Sequence, residues 1–274
     1  MVSLKEYIES TKDWQTEIYF FAGEDENVMK ESHFMEKFHD KDVEVLYMTH
    51  PIDAYLLDNV REFDNHMFKD ITKRVEFKDE DEDLIKRREK VYEEKFSPLI
   101  SWLKKVYGKE ITKITISKRL GKAPAIVTNG PYGQSAHVQQ IMKSQSYAGN
   151  EQAKEQLSAM KMYRELEINP RHPIVASLLE NAPEEGDDSF VTSKELRDSA
   201  YFLLDTALLS GGFALEPDEA FSNRMLRVLS TRLEVESLEL EDEINPPVEE
   251  DVPPEINLDG VDNIDLEGFA EDEF

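Results

Sequence analysis

Apolar positions along this chain change their period several times, and each change marks a predicted element. Ser3 with Glu6 three residues on forms a capping-box pattern ahead of Tyr7 and Ile8, which predicts a helix to about Trp14. Ile18-Tyr19-Phe20-Phe21 is a short apolar run closed by Gly23, the pattern of a buried strand. Val28, Met29, Phe34, Met35 and Phe38 recur at helical spacing over residues 28–39. Val43–Met48 then predicts a second strand stopped near Pro51, with a helix over 53–60 and a short strand at Phe68–Ile71. Strands alternating with helices imply a small α/β subdomain built on a parallel sheet, here residues 1–77.

The almost wholly charged stretch 78–83 marks a boundary. A long charged helix follows, with Leu84, Ile85, Val91, Tyr92, Phe96, Leu99, Ile100, Leu103 and Val106 on its apolar side and Gly108 as its C-cap. Ile111–Ser117 and Ala125–Thr128 read as strands, and helices are predicted at 135–147, 173–180, 194–210 and 217–233. The fold class is therefore α+β or α/β, with a mixed helix–sheet domain over 78–235. From Glu234 to Phe274 the pattern disappears. That segment holds 17 of the 59 acidic residues, no Lys or Arg, and Pro pairs at 246–247 and 253–254. It cannot bury enough apolar area to offset its ordering entropy, so 236–274 is expected to be a disordered acidic tail.

A formal charge of −27 repels phosphate backbones and disfavours a nucleic-acid partner. No run approaches the roughly 18–20 apolar residues that span a bilayer, so no membrane partner is expected, and no signal peptide is visible at the start. The chain has no cysteine, which removes disulfides and thiol chemistry. Six histidines at 33, 39, 50, 66, 137 and 172 show no metal-site spacing. Gly130-Pro131-Tyr132-Gly133-Gln134-Ser135 opens a helix but lacks the Lys and Ser/Thr of a phosphate loop, and reads as a turn with Ser135 as N-cap. No catalytic and no metal-ligating residue is identified. Carboxylate pairs are too common here to signal acid–base catalysis. An α/β enzyme fragment with an unrecognised site stays open as an alternative, as does an acidic calcium buffer whose scattered carboxylates make weak sites.

Two apolar stripes carry the remaining signal. Val138, Ile141, Met142 and Gln145 share one face of the 135–147 helix, flanked by Met160, Met162 and Tyr163 beyond a Gly149-Asn150 loop. Such a stripe is either core filling or an adaptable surface for varied partners, because thioether side chains repack easily. Leu196, Ala200, Leu203, Leu204, Ala207 and Leu208 repeat at helical spacing up to Gly211-Gly212, and the next helix carries Phe221, Met225, Leu226, Val228, Leu229 and Leu233. This helical hairpin either packs on its own domain or pairs with a second copy as a dimeric four-helix bundle.

Five segments in order resemble motifs of the heat shock protein 90 family. They are Pro51-Ile52-Asp53-Ala54-Tyr55, Arg61-Glu62-Phe63-Asp64, Ile114-Thr115-Ile116-Ser117-Lys118-Arg119-Leu120, residues 166–174 (Leu166-Glu167-Ile168-Asn169-Pro170-Arg171-His172-Pro173-Ile174) and residues 206–213 (Thr206-Ala207-Leu208-Leu209-Ser210-Gly211-Gly212-Phe213). The resemblance covers about residues 3–235. It implies that residues 3–75 are the last subdomain of the family's middle region and 80–233 its dimerisation domain. The ATP-binding domain and catalytic arginine loop would lie before Met1, so ATP and magnesium belong to the parent chaperone and this chain needs no cofactor and is not an enzyme. The implied partners are a second copy of the chain, client proteins and cochaperones. Client contact falls on Gln134, Val138, Ile141, Met142, Met160 and Met162. Dimer contact falls on Leu196, Ala200, Leu203, Leu204, Leu208, Phe221, Met225, Val228, Leu229 and Leu233. Family members commonly carry Trp at the position of Gln134 and Met at that of Val138, so the largest apolar anchor is missing here. The ending Ala270-Glu271-Asp272-Glu273-Phe274 is similar to the retrieval signal of the endoplasmic reticulum form. With Phe96–Leu103 and 169–173 it leans to an endoplasmin-like protein of the endoplasmic reticulum lumen, while the 206–213 motif is closer to cytoplasmic members.

Overall fold

The computed structural model describes residues 2–130, 133–146, 155–156, 159–183, 194–215, 219–235 and 239. The expected acidic tail, 236–274, lies outside the described residues apart from Glu239. The chain divides into a unit spanning 1–224 and a second from Met225 onward, so the expected boundary at residues 77–78 falls inside the first unit.

The capping box forms as the sequence implies. Ser3 N–H donates to Glu6 Oε2 at 2.8 Å, and Glu6 N–H donates back to Ser3 Oγ at 3.3 Å. The helix they start, α1 (Leu4–Glu9), is shorter than expected because the Ser10 and Thr11 hydroxyls turn back onto the carbonyls of Tyr7 and Ile8. Tyr7 is buried, and its hydroxyl accepts from Tyr19 N–H at 3.1 Å and donates to Glu44 O at 2.9 Å. It thereby fixes the entry to β1 (Glu17–Ala22).

Residues 28–39 form two short helices, α2 (Glu26–Lys30) and α3 (Glu36–Asp40), where one was expected. Asp25 caps the first, and a local bond from Phe34 N–H to Ser32 Oγ turns the chain between them. β2 is shorter than expected, Leu46–Met48, though Val43 and Val45 are still buried. After α4 (Pro51–Asn59), β3 (Glu62–Phe63) and β4 (His66–Asp70) make a hairpin through Asp64-Asn65. Both turn residues have positive φ, 47° and 61°, as a tight two-residue hairpin demands. The sheet order is β2-β1-β4-β3. β1 is parallel to both neighbours, with Ala22 opposite Met48 and Ile18 opposite Phe68. The parallel sheet of the sequence reading is therefore present, with an antiparallel edge at β3.

Beyond Asp81, whose side chain caps it, α5 (Glu82–Tyr107) runs to Gly108, where φ is +57°. β5 (Lys113–Ile116) and β6 (Ala125–Asn129) form as expected, but β7 (Arg164–Ile168) lies between the helices expected at 135–147 and 173–180, where no strand was expected. β7 is the centre of the second sheet, order β5-β7-β6, parallel to β5 and antiparallel to β6. Helices α6 (Ala136–Ser146), α7 (Pro173–Asn181), α8 (Lys194–Ser210) and α9 (Glu219–Leu233) complete the order.

β6 is buried on both faces, and its alternation divides it between two cores. Ile126 joins Tyr19, Phe34, Phe38, Ile71 and Phe77 of the first half of the chain, where the Tyr19 and Phe38 rings meet edge to face at 5.0 Å. Ala125 and Val127 face the other way, among Phe96, Leu103, Leu166, Ile168, Leu203 and Leu204. α8 covers that face closely: a Cβ on Gly211 would lie 2.2 Å from Val127 O, so only glycine fits there. Arg119 ties the two halves. Its guanidinium pairs with Glu167 at 2.9 Å, donates to the carbonyls of Ile71 and Lys73 at 2.7 and 2.8 Å, and lies 4.9 Å from the Phe34 ring centre.

Candidate interaction surfaces

The structure separates the ten candidates of the helical hairpin into two groups. On α8, Ala200, Leu203, Leu204 and Leu208 are buried against β6 and its core, and Leu196 packs partly against the same cluster. Within a single copy these residues are thus covered by the chain's own core. A strand apolar on both faces needs a cover, and α8 supplies it. Two tyrosines lock the helix in place, Tyr107 donating to Ala200 O at 2.7 Å and Tyr201 to Val106 O at 3.0 Å. Burial pushes the Tyr107 phenol well above its usual range, so it remains a donor.

The start of α9 is tied to α8 by Arg224, which pairs with Asp205 at 3.0 Å and stacks 4.9 Å from the Tyr201 ring centre and 5.9 Å from that of Phe221. From Met225 onward the helix presents apolar side chains to solvent. Met225, Leu226, Val228, Leu229 and Leu233 are each 40–69% exposed. At 100° per residue, Phe221 and these five fall within an arc of about 160°. Leu226, absent from the ten candidates, belongs to that arc by its spacing alone.

The six candidates of the other surface are not brought to one face. Gln134 is half-buried, its carbonyl accepting from the Asn129 side-chain amide and from Gln139 Nε2. Ser135 caps α6, as expected, by accepting from Val138 N–H at 3.4 Å. Val138 is only 3% exposed, packed with Ala22 and flanked by Met48 and Met142. Ile141 is half-buried, Met160 likewise, and Met162 stands 68% exposed on a single 3₁₀ turn leading into β7. The side chain of Gln145 and the loop at 147–154 lie outside the described residues.

His137, beside Val138, is 7% exposed with Nε2 buried and unpartnered. Burial pushes its pKa below the ordinary imidazole value, against a smaller opposite pull from the Glu24 carboxylate. Neither His137 nor Arg119 stood out as a site residue in the sequence. The first is a lone histidine on an otherwise apolar stripe, and the second is one cation among 32.

A profile of the Hsp90 protein family matches residues 1–255. The chain is 33% identical over 249 residues to a putative heat shock protein HSP 90-beta-3 of Homo sapiens, an alignment covering 90% of the chain and 40% of that protein. It is 31% identical over 259 residues to heat shock protein 83 of Leishmania donovani, covering 94% of the chain and 54% of that protein. The chain thus spans about half the length of these relatives or less.

Proposed function

We propose, from the premise that this chain belongs to the Hsp90 protein family, that it is the self-associating, client-holding module of a molecular chaperone. One observation carries the reading. The last helix shows a stripe of five half-exposed apolar side chains, Met225 to Leu233, after the preceding helix has used its own apolar face on the chain's core. A contiguous exposed apolar stripe marks a protein-binding surface. A self-complementary one on a helix suits an isologous contact between two copies. Client contact is assigned to Ile141 and Met142 of α6 with Met160 and Met162, all at least partly exposed, the methionines among them having thioether side chains that adapt to different sequences.

The activity proposed for these residues is binding, with no catalytic step of their own. Two measurements on the purified chain test it: sedimentation equilibrium for the dimer, and suppression of aggregation of a thermally unfolded model enzyme. Expected are a dimer at micromolar concentration and suppression at near-stoichiometric ratios. A monomer that leaves aggregation unchanged contradicts the proposal, and ATP turnover by the chain alone contradicts its non-catalytic part.

A further inference from the structure

β6 is an edge strand of its sheet, and its last residue, Asn129, borders a cleft of about 200 Å³ that is partly open to solvent. The walls come from distant parts of the chain: Phe34 and Lys73 from the first half, Ser135 ahead of α6, and Gly211 and Phe213 beyond α8. Asn129 is only 5% exposed. Its side-chain N–H donates to Gln134 O, which fixes the orientation of the amide. Oδ1 is then left buried with no hydrogen-bond partner among the described residues. A buried acceptor without a donor carries a standing desolvation cost, which the N–H or O–H of a ligand removes.

The other walls ask for the opposite chemistry. Lys73 brings an ammonium, and the start of α6 is the positive end of a helix dipole. The Ser135 hydroxyl accepts from Val138 N–H and keeps its own proton to donate. Asp70, the carboxylate nearest to Lys73 along the chain, is engaged by the N–H and hydroxyl of Thr72 at 2.8 and 2.7 Å. The walls are also fixed in advance. Arg119 holds the carbonyls of Ile71 and Lys73 and stacks on Phe34, while Arg164 lies 5.1 Å from the Phe213 ring centre. We propose that this cleft binds a small carboxylate bearing its own donor, an α-hydroxy or α-amino carboxylate of which glycolate and glycine are the simplest. The carboxylate faces Lys73 and the Ser135 hydroxyl, the O–H or N–H meets Asn129 Oδ1, and the carbon rests against the Phe34 and Phe213 rings. An alcohol satisfies Asn129 alone and a plain carboxylate Lys73 and Ser135 alone, so the two demands together select the class. The space is below the roughly 300–1,000 Å³ of pockets for drug-sized ligands, which keeps the occupant small.

The probes are glycolate and its two partial mimics, acetate and ethylene glycol, titrated into the full 274-residue chain and followed by saturation-transfer NMR. Glycolate is expected to saturate at millimolar concentration, with acetate and ethylene glycol each weaker by about tenfold or more. Lys73→Met removes the ammonium while Arg119 still holds the backbone at that position. It is expected to weaken glycolate by about tenfold and to leave ethylene glycol unchanged. Lys73→Gln takes its place if circular dichroism shows Lys73→Met to be unfolded. A crystal structure grown with glycolate gives the independent readout, with density for the ligand between Asn129 Oδ1 and Lys73 Nζ as the expected result. An ordered water only at Oδ1 overturns the proposal. So does the absence of saturable glycolate binding, equal affinity for glycolate and acetate, or an unchanged glycolate affinity in the folded Lys73 variant. Each of these results leaves the self-association and client-holding function standing.

Discussion

Truncating Leu229 and truncating Leu204 should do opposite things, although both are leucines of the same hairpin. Leu204 is 1% exposed inside the core beneath β6, whereas Leu229 is 49% exposed on the last helix. Leu204→Ala removes fully buried methyl groups and leaves a cavity, a loss of about 2–5 kcal/mol in folding. Leu229→Ala removes groups already half in water and should alter protomer stability by no more than about 0.5 kcal/mol. In a symmetric dimer the Leu229 loss counts twice. Burying the remaining half of a leucine, with some cavity cost, is worth about 1–2 kcal/mol per copy, hence about 2–4 kcal/mol per dimer. At 1.4 kcal/mol per tenfold, that weakens the dimer Kd roughly 30- to 1,000-fold. Sedimentation equilibrium over a hundredfold range of concentration reads the Kd, and urea unfolding followed by circular dichroism reads the fold. The expected pattern is a lowered urea midpoint with near-normal dimerisation of the folded fraction for Leu204→Ala, and the converse for Leu229→Ala. Leu229→Ala with an unchanged Kd would refute the assignment of the exposed stripe to self-association.

Three further outcomes follow from named contacts. Arg119→Met leaves Glu167 and the carbonyls of Ile71 and Lys73 without their donor in a nearly dry site, and should cost about 3–5 kcal/mol by urea unfolding. Arg119→Lys should recover only part, because an ammonium cannot reproduce the planar fork. Gly211→Ala forces a methyl into Val127 O at 2.2 Å and should lower the thermal midpoint by several degrees, with loss of soluble yield at 37 °C. His137 is buried with a lowered pKa, so the packed arrangement of α6 favours its neutral form. That packing is therefore fully favoured above the ordinary imidazole pKa, near 6.5, and is opposed as pH falls through that value towards the lowered one. Hydrogen exchange in α6 should rise between about pH 7.5 and 5.5, and His137→Phe should flatten that response.

Much of the fold could be read from short-range chemistry. The Ser3–Glu6 box, the Gly108 stop and the turn that ends α8 at Gly211-Gly212 depend on residues within about one turn of each other. β7 could not be read that way. Arg164-Glu165-Leu166-Glu167-Ile168 has two apolar positions in five and the charge of a surface segment. Its place at the centre of a sheet depends on pairing with β5 and β6, about 35 to 52 residues back, which buries Leu166 and Ile168. The candidate surfaces show the same limit. Spacing identified the Val138–Met142 stripe and the stripe on α8, but spacing cannot say whether a stripe faces water or its own chain. The deciding partners, Ala22 and Met48 for one and β6 for the other, lie some 70 to 115 residues away.

The strand shared between two cores also sets the timing of synthesis. The first half of the chain lacks Leu120, Ala123 and Ile126 until β6 has been made, and β6 has no neighbour until β7 follows at 164–168. At roughly 5–20 residues per second, a ribosome that has just added Phe77 needs about 5–18 s to reach Ile168. During that interval Tyr19, Phe34, Phe38 and Phe77 have no complete interior, and the nascent chain displays the kind of apolar segment that chaperones themselves bind.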